Sequence, residues 1–319
     1  MSLRLDTMRT NCRLVTDVIG KEVFSATLRL GDLLPNELYR ARMVCLPVLI
    51  SVTRDLIDRE MRSLPVGRGP SINAISASLD MPFETVRRNV QKMAELGWVV
   101  IGTGGGVTLP VPMPTELADW CVDLASRLRH AAKMIEDSGT TTCGTLGDGN
   151  CDNSCILAAL DLFLIMAGTC KDFSLRFGEY MLVQTICAQS TRHLGRYASD
   201  LVPFARADTV PGDAQRAFIP LAEIANTLGI SRSTAYRIIN HSDHEGLFER
   251  RGTGVRGAYH FLSSPTYIAA LELVAGRTAT LFSRVERHRC ERGCTALDHM
   301  LRRPRPWQSN MQMAMHAAA

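Results

Sequence analysis

Ile75-Ser76-Ala77-Ser78-Leu79-Asp80-Met81 leads through Thr85-Val86-Arg87-Arg88 to Gly97-Trp98-Val99, and the same pattern is spelled again further along the chain. There Ile224-Ala225-Asn226-Thr227-Leu228-Gly229-Ile230 leads through Thr234-Ala235-Tyr236-Arg237 to Gly246-Leu247-Phe248. Ile75 and Ile224 stand 149 positions apart, as do Gly97 and Gly246, so the stretches run in register without a gap. Each reads as helix, tight turn, second helix and the start of a strand, which is how a helix-turn-helix with a β-wing is written. Two such units on one chain predict a covalent pseudo-dimer built to read DNA.

In the first unit Ser71 is placed as an N-cap, and Ile72, Ile75 and Leu79 fall on one face of the helix it opens. Asp80 takes the turn where the second unit has Gly229; both residue types tolerate a left-handed backbone. The following helix turns Val86, Val90 and Met93 inward and leaves Glu84, Thr85, Arg87, Arg88, Gln91 and Lys92 outside. A helix fits the major groove, where arginine can bind guanine O6 and N7 bidentately and a threonine near the helix start can meet a phosphate. In the second unit Ser231 caps the recognition helix, Ala235, Ile238 and Ile239 face inward, and Arg232, Ser233, Thr234, Tyr236, Arg237 and Asn240 face outward. Asn240 carries the amide that reads adenine. Glu249 to Gly257 then reads as a hairpin whose tip carries Arg251 and Arg256, whereas the first wing, Gly102 to Val107, carries no charge.

The flanks repeat more faintly. Asn11 to Ala26 and Glu37 to Arg62 read as helices, and Cys155 to Ala167 and Phe173 to Tyr197 take the same places later. After each wing another helix opens with proline, at Pro114-Thr115 and Pro265-Thr266, where a missing N–H is no loss. The expected division is a first half over 1–137, a polar linker over 138–154, a second half over 155–290 and a disordered tail over 291–319. The fold class expected is mainly α: two winged helix-turn-helix units with small β-wings in a helical pseudo-dimer core.

The 319 residues, 46% apolar and 21% charged, suit a soluble globular chain with two cores. A net charge of +4 permits nucleic-acid binding without demanding it. Met1 to Asp6 lacks the apolar core of a secretory signal, and Cys155 to Cys170, interrupted by Asp161, falls short of a spanning helix. No membrane partner and a cytoplasmic location are expected. Of ten cysteines, Cys12, Cys45, Cys121, Cys170 and Cys187 sit in apolar helical text as core residues. The Cys-x3-Cys pairs Cys151/Cys155 and Cys290/Cys294, with Cys143, lack a standard zinc spacing; a redox or metal role is the alternative to incidental thiols. No cofactor or metal is expected. Gly-x-Ser-x-Gly, Walker, His-Glu-x-x-His and Rossmann motifs are absent, so no enzyme is expected.

Ile230 through Asn240, with Glu245-Gly246-Leu247-Phe248-Glu249-Arg250, is similar to the winged helix of bacterial IclR-type regulators. Pro82-Phe83-Glu84-Thr85-Val86-Arg87-Arg88 resembles the same pattern, and GntR- and MarR-type repressors have related text. The resemblance covers roughly forty residues of each half. It implies sequence-specific DNA binding and transcriptional control, with Ser231, Arg232, Thr234, Tyr236 and Arg237 at the DNA face. The chain departs from the pattern in three places. Pro82-Phe83 replaces Ser231-Arg232, Ser242 and Glu245 stand where the first copy has Met93 and Leu96, and no large effector-binding domain of the IclR kind follows.

The expected function is a double-stranded-DNA-binding transcription regulator acting as a single-chain pseudo-dimer. Two alternatives are a replication initiator with paired winged helices and a docking scaffold that binds no DNA. An effector and self-association stay open.

Overall fold

The computed structural model describes residues 2–62, 69–140, 146, 151–195, 198–242 and 246–287. The chain is mainly helical, as expected. α1 (Ser2–Thr10) and α2 (Cys12–Ile19) lead through a π-helical turn (Gly20–Phe24) into α3 (Ser25–Leu33). A 3-10 turn (Asn36–Ala41) precedes α4 (Arg42–Met61), then α5 (Ile72–Leu79) and α6 (Phe83–Glu95). A hairpin of β1 (Val100–Ile101) and β2 (Val107–Thr108) is followed by α7 (Thr115–Asp137). The later part begins with α8 (Asp152–Gly168), a 3-10 turn (Thr169–Phe173), α9 (Phe177–Ser190) and the short α10 (Ala198–Leu201). β3 (Ile219–Pro220), α11 (Leu221–Leu228), α12 (Arg232–Ser242), β4 (Phe248–Arg251), β5 (Gly254–Gly257), α13 (Tyr259–Leu262) and α14 (Pro265–Arg287) complete it.

The core is built around α8, whose Cys155, Ile156, Leu160, Leu162 and Phe163 are all fully buried. Each large apolar side chain so buried contributes about 2 kcal/mol. Asp152 to Phe173 is apolar and long enough to cross a bilayer, but it lies inside the protein, packed on α4, α7 and α14. The acid in the middle of this helix, Asp161, accepts a hydrogen bond from Arg54 at 2.7 Å. Phe24 stacks on Phe163 with ring centroids 5.6 Å apart, tying the π-helical turn to this core. The long helices interlock: α7 packs on both α3 and α8, and α14 on both α8 and α2.

Several expectations about the flanks need correction. The helix expected over Phe173 to Tyr197 starts later and ends earlier, as α9. Ser174 adopts a left-handed backbone (φ 54°) that breaks the chain, and the Glu179 carboxylate accepts the Arg176 N–H at 2.9 Å, fixing a new start. The expected linker over 138–154 gives up its last residues, since Asp152 to Ser154 form the first turn of α8. The helix from Asn11 continues past Ala26 to Leu33, and the helix expected from Glu37 begins as a 3-10 turn. The tail over 291–319 lies outside the described residues, as do Cys143, Glu245, Cys290 and Cys294.

α5 and α6 meet at Asp80 (φ 53°), and α11 and α12 meet at Gly229 (φ 62°). The Ser71 hydroxyl accepts the Ala74 N–H, and the Ser231 hydroxyl accepts the Thr234 N–H at 3.0 Å. These caps satisfy donors that a helix start would otherwise leave unpaired. β4 and β5 form a hairpin with a two-residue connection, Gly252-Thr253, and β3 adds to β5 as a third strand. Beside β1 and β2 a single bridge from Ser71 to Gly106 stands in the place of that third strand.

Candidate nucleic-acid interface

α6 buries Val86, Val90 and Met93 completely, so its other face is left to solvent. Thr85 and Arg87 are half-buried; Glu84, Arg88, Gln91 and Lys92 are exposed. Arg87 is bound on its own helix, donating twice to Glu84 and once to Gln91. That hydrogen-bonded pairing holds the Glu84 carboxyl below its ordinary range. Lys92 pairs with Glu95 at 3.3 Å. Arg88 alone of the three α6 cations has no ion pair among the described residues. Phe83, which stands where the second unit has Arg232, opens the helix with nearly half its surface exposed (46%).

α12 turns Ala235 and Ile239 inward, while Ile238, expected inward, is half-buried. Arg232, Ser233, Tyr236, Arg237 and Asn240 are exposed, as is Ser231 before the helix; Thr234 is half-buried, its hydroxyl 2.8 Å from that of Ser231. Neither Arg232 nor Arg237 has an ion pair among the described residues. Asn240 Oδ1 accepts from Arg250 Nη2 at 2.8 Å, which fastens β4 to the helix.

The second hairpin carries Arg251 at its exposed tip, beside Gly252 (φ 58°). Arg256, expected beside it, is corrected: it lies at the base of the hairpin and is only 5% exposed. Its Nε donates to Glu249 at 2.7 Å and its Nη1 to the carbonyls of Asp213 (3.0 Å) and Arg216 (3.3 Å). Its guanidinium covers the Phe218 ring at 4.4 Å. Arg216, wholly buried beside it, pairs with Asp213 at 2.7 Å and donates to the Gly257 carbonyl. The two arginines hold the Asp213 carboxyl below its ordinary range. At Glu249 burial pushes the other way, but the Tyr259 N–H and Arg256 outweigh it and its carboxyl also lies low. Arg256 therefore anchors the hairpin to the segment before β3 and presents no charge to a ligand. A sequence signal existed: around a two-residue turn, Glu249 falls directly opposite Arg256, an opposite-charge cross-strand pair.

Both helices border one segment. A groove lined by Pro82 and Thr85 of the first unit also touches Lys171, Arg176 and Gly178. A second groove runs from Arg176, Gly178 and Glu179 to Arg237, Ile238 and His241. The start of α6 and the later half of α12 thus stand on either side of the start of α9. Lys171 and Arg176 are exposed there, and Lys171 lies 3.9 Å from Asp80. Neither stood out in the sequence, because their position depends on how the start of α9 packs between α6 and α12.

The thiols offer little chemistry. Burial pushes Cys45 and Cys121 up to about 12 and Cys12 and Cys155 up to about 11. Such thiols stay protonated and weakly nucleophilic. Among the described residues no group of three or more His, Cys, Asp or Glu is arranged to hold a metal. Compared with protein-family models, curated proteins and solved structures, the chain matches none.

Proposed function

We propose that this chain is a sequence-specific double-stranded-DNA-binding regulator of transcription. It carries two winged helix-turn-helix units and acts as a single-chain pseudo-dimer in the cytoplasm. The observation that carries the proposal is the placement of α6 and α12: α6 turns Arg88 outward and α12 turns Arg232 and Arg237 outward, none with an ion pair among the described residues, and both helices border the start of α9. Left-handed turns at Asp80 and Gly229, 149 positions apart, support a duplication, as does a shared order of helix, 3-10 turn, helix, helix pair, hairpin and long helix, to which the second half adds α10, further 3-10 turns, β3 and α13. So does the reciprocal packing of α7 on α8 and of α14 on α2, the arrangement a two-fold dimer interface would take.

In this reading Arg88 on α6, and Arg232, Arg237 and Asn240 on α12, face base edges. Thr85, Ser231, Ser233, Arg251, Lys171 and Arg176 meet the backbone. Tyr236 offers its ring edge and hydroxyl. Arg87 and Lys92 are held by acids on their own helix and must exchange those partners for phosphates, so they contribute less. With about four to seven phosphates neutralised, log K should fall against log salt with a slope of about −4 to −6. A fluorescence-anisotropy titration of a duplex at several salt concentrations tests this; an affinity unchanged between low and moderate salt would reject DNA binding.

A docking role for the first unit has one observation in its favour. Its wing is uncharged, and Val100 and Ile101 on β1 are exposed together with Phe83 on α6. A unit so equipped is suited to a protein surface. In that reading DNA affinity would survive loss of Arg88 and fall with loss of Arg237.

A further inference from the structure

A groove of about 560 Å³ lies between the two halves, away from the outward faces of α6 and α12. One wall is the π-helical turn and α3, carrying Lys21 and Arg29, with Arg42 at the start of α4; the other is α9 and α11, carrying Gln189, Asn226 and Thr227, with Arg192 just beyond the end of α9. The volume is in the range of small-molecule sites.

The polar groups of this groove are unequally satisfied. Its acids are spoken for: Glu22 pairs with Arg127 at 3.1 Å and Asp32 with Arg42 at 2.6 Å. Lys21 Nζ, which has three donors, gives one to the Thr191 carbonyl at 3.0 Å, and Arg192 is exposed with no ion pair among the described residues. Gln189 gives its Nε2 to Thr227 at 3.0 Å and leaves Oε1 buried with no hydrogen-bond partner. A buried acceptor in that state is costly unless something donates to it. Spare cationic donors beside an orphaned acceptor define the complementary ligand: an oxyanion with a hydrogen-bond donor attached. Interrupting a helix with a π turn is also a device found often at functional sites.

The groove also touches the second helix pair. Arg42 lines it and reaches the turn between α11 and α12, where a Cβ on Gly229 would come within 2.6 Å of Arg42 Cδ. Asn226 and Thr227 belong to α11 itself.

We propose that this groove binds a small anionic metabolite, bearing a carboxylate or a phosphate, and that its occupancy adjusts the set of α11 and α12. The first part stands alone; the second rests on the DNA-binding reading. The test is 15N-edited NMR of the full chain, titrated separately with inorganic phosphate and with malate, a hydroxyl-bearing dicarboxylate, at ionic strength held constant with chloride. The expected result is saturable shifts confined to the groove residues with at least one probe, weakened at least about tenfold by Arg192→Ala, an exposed change that spares the fold. Saturation by phosphate alone assigns a phosphate ligand, and saturation by malate alone a carboxylate. Gln189→Leu should weaken malate more than phosphate. Shifts that never saturate, or that survive both Arg192→Ala and Lys21→Met, would overturn the site. Repeating a DNA titration with and without the saturating probe isolates the second part: binding of the probe with DNA affinity unchanged overturns the coupling and leaves the site. Failure of the unliganded chain to bind DNA would reject the DNA reading, with the site judged on the NMR result.

Discussion

Arg256→Ala and Arg251→Ala should separate stability from binding, although both residues belong to the same hairpin. Removing Arg256 takes a donor from Glu249, ends two hydrogen bonds to backbone carbonyls and uncovers the Phe218 ring. Breaking a fully buried pair from one side costs about 3–5 kcal/mol. Here Glu249 keeps 34% of its side chain in water and has Arg216 3.8 Å away, so solvent and Arg216 offset part of the loss. The expected destabilisation is about 2–3 kcal/mol. Arg251 is exposed, and its loss should stay within about 0.5 kcal/mol. Urea unfolding followed by far-ultraviolet circular dichroism measures both. The acid side gives a second readout. The Asp213 and Glu249 carboxyls lie low in the folded state, so their contribution is present above their ordinary values of about 4 and is lost as pH falls through the lower folded values. Arg256→Ala should flatten that acid-side decline. An Arg256→Ala protein as stable as the parent, with the same acid profile, would refute the anchoring role and reopen a DNA-facing one. On DNA, Arg251→Ala should reduce the salt slope by about one.

Gly229→Ala forces a side chain into a left-handed backbone and against Arg42 Cδ, and should destabilise the chain by about 1–3 kcal/mol in the same unfolding assay. Asp80→Gly, at the matching turn, relieves that backbone strain and should be neutral or stabilising by up to about 1 kcal/mol. Arg88→Ala should cost about 1–3 kcal/mol of affinity on one half-site and relax preference there, read by competition between selected and scrambled duplexes.

Features fixed by near neighbours were legible in the sequence. The Ser71 and Ser231 caps, the left-handed Asp80 and Gly229 and the inward Val86, Val90 and Met93 each depend on residues a turn or two away. Arg256 was misplaced because its partners Asp213 and Arg216 lie about forty residues back, in a segment with no periodicity to announce it. The start of α9 lies later than the sequence suggests because Phe173 falls four residues before Phe177, at helical spacing; the break comes from Ser174 and the cap from Glu179. Lys171 and Arg176 gain interest only once elements distant in sequence are packed together, as does the groove holding Lys21 and Gln189.

The central claim is that one chain reads two half-sites of double-stranded DNA. Unbiased selection of bound duplex fragments, followed by footprinting of the winners at one chain per duplex, tests it most directly. The account predicts an imperfect palindrome, because Arg88 and the Arg232, Arg237 and Asn240 set differ, with half-site centres about one helical turn apart. It also predicts protection of both half-sites by a single chain. Recovery of no enriched sequence, or protection of one half-site unless a second chain joins, would contradict it.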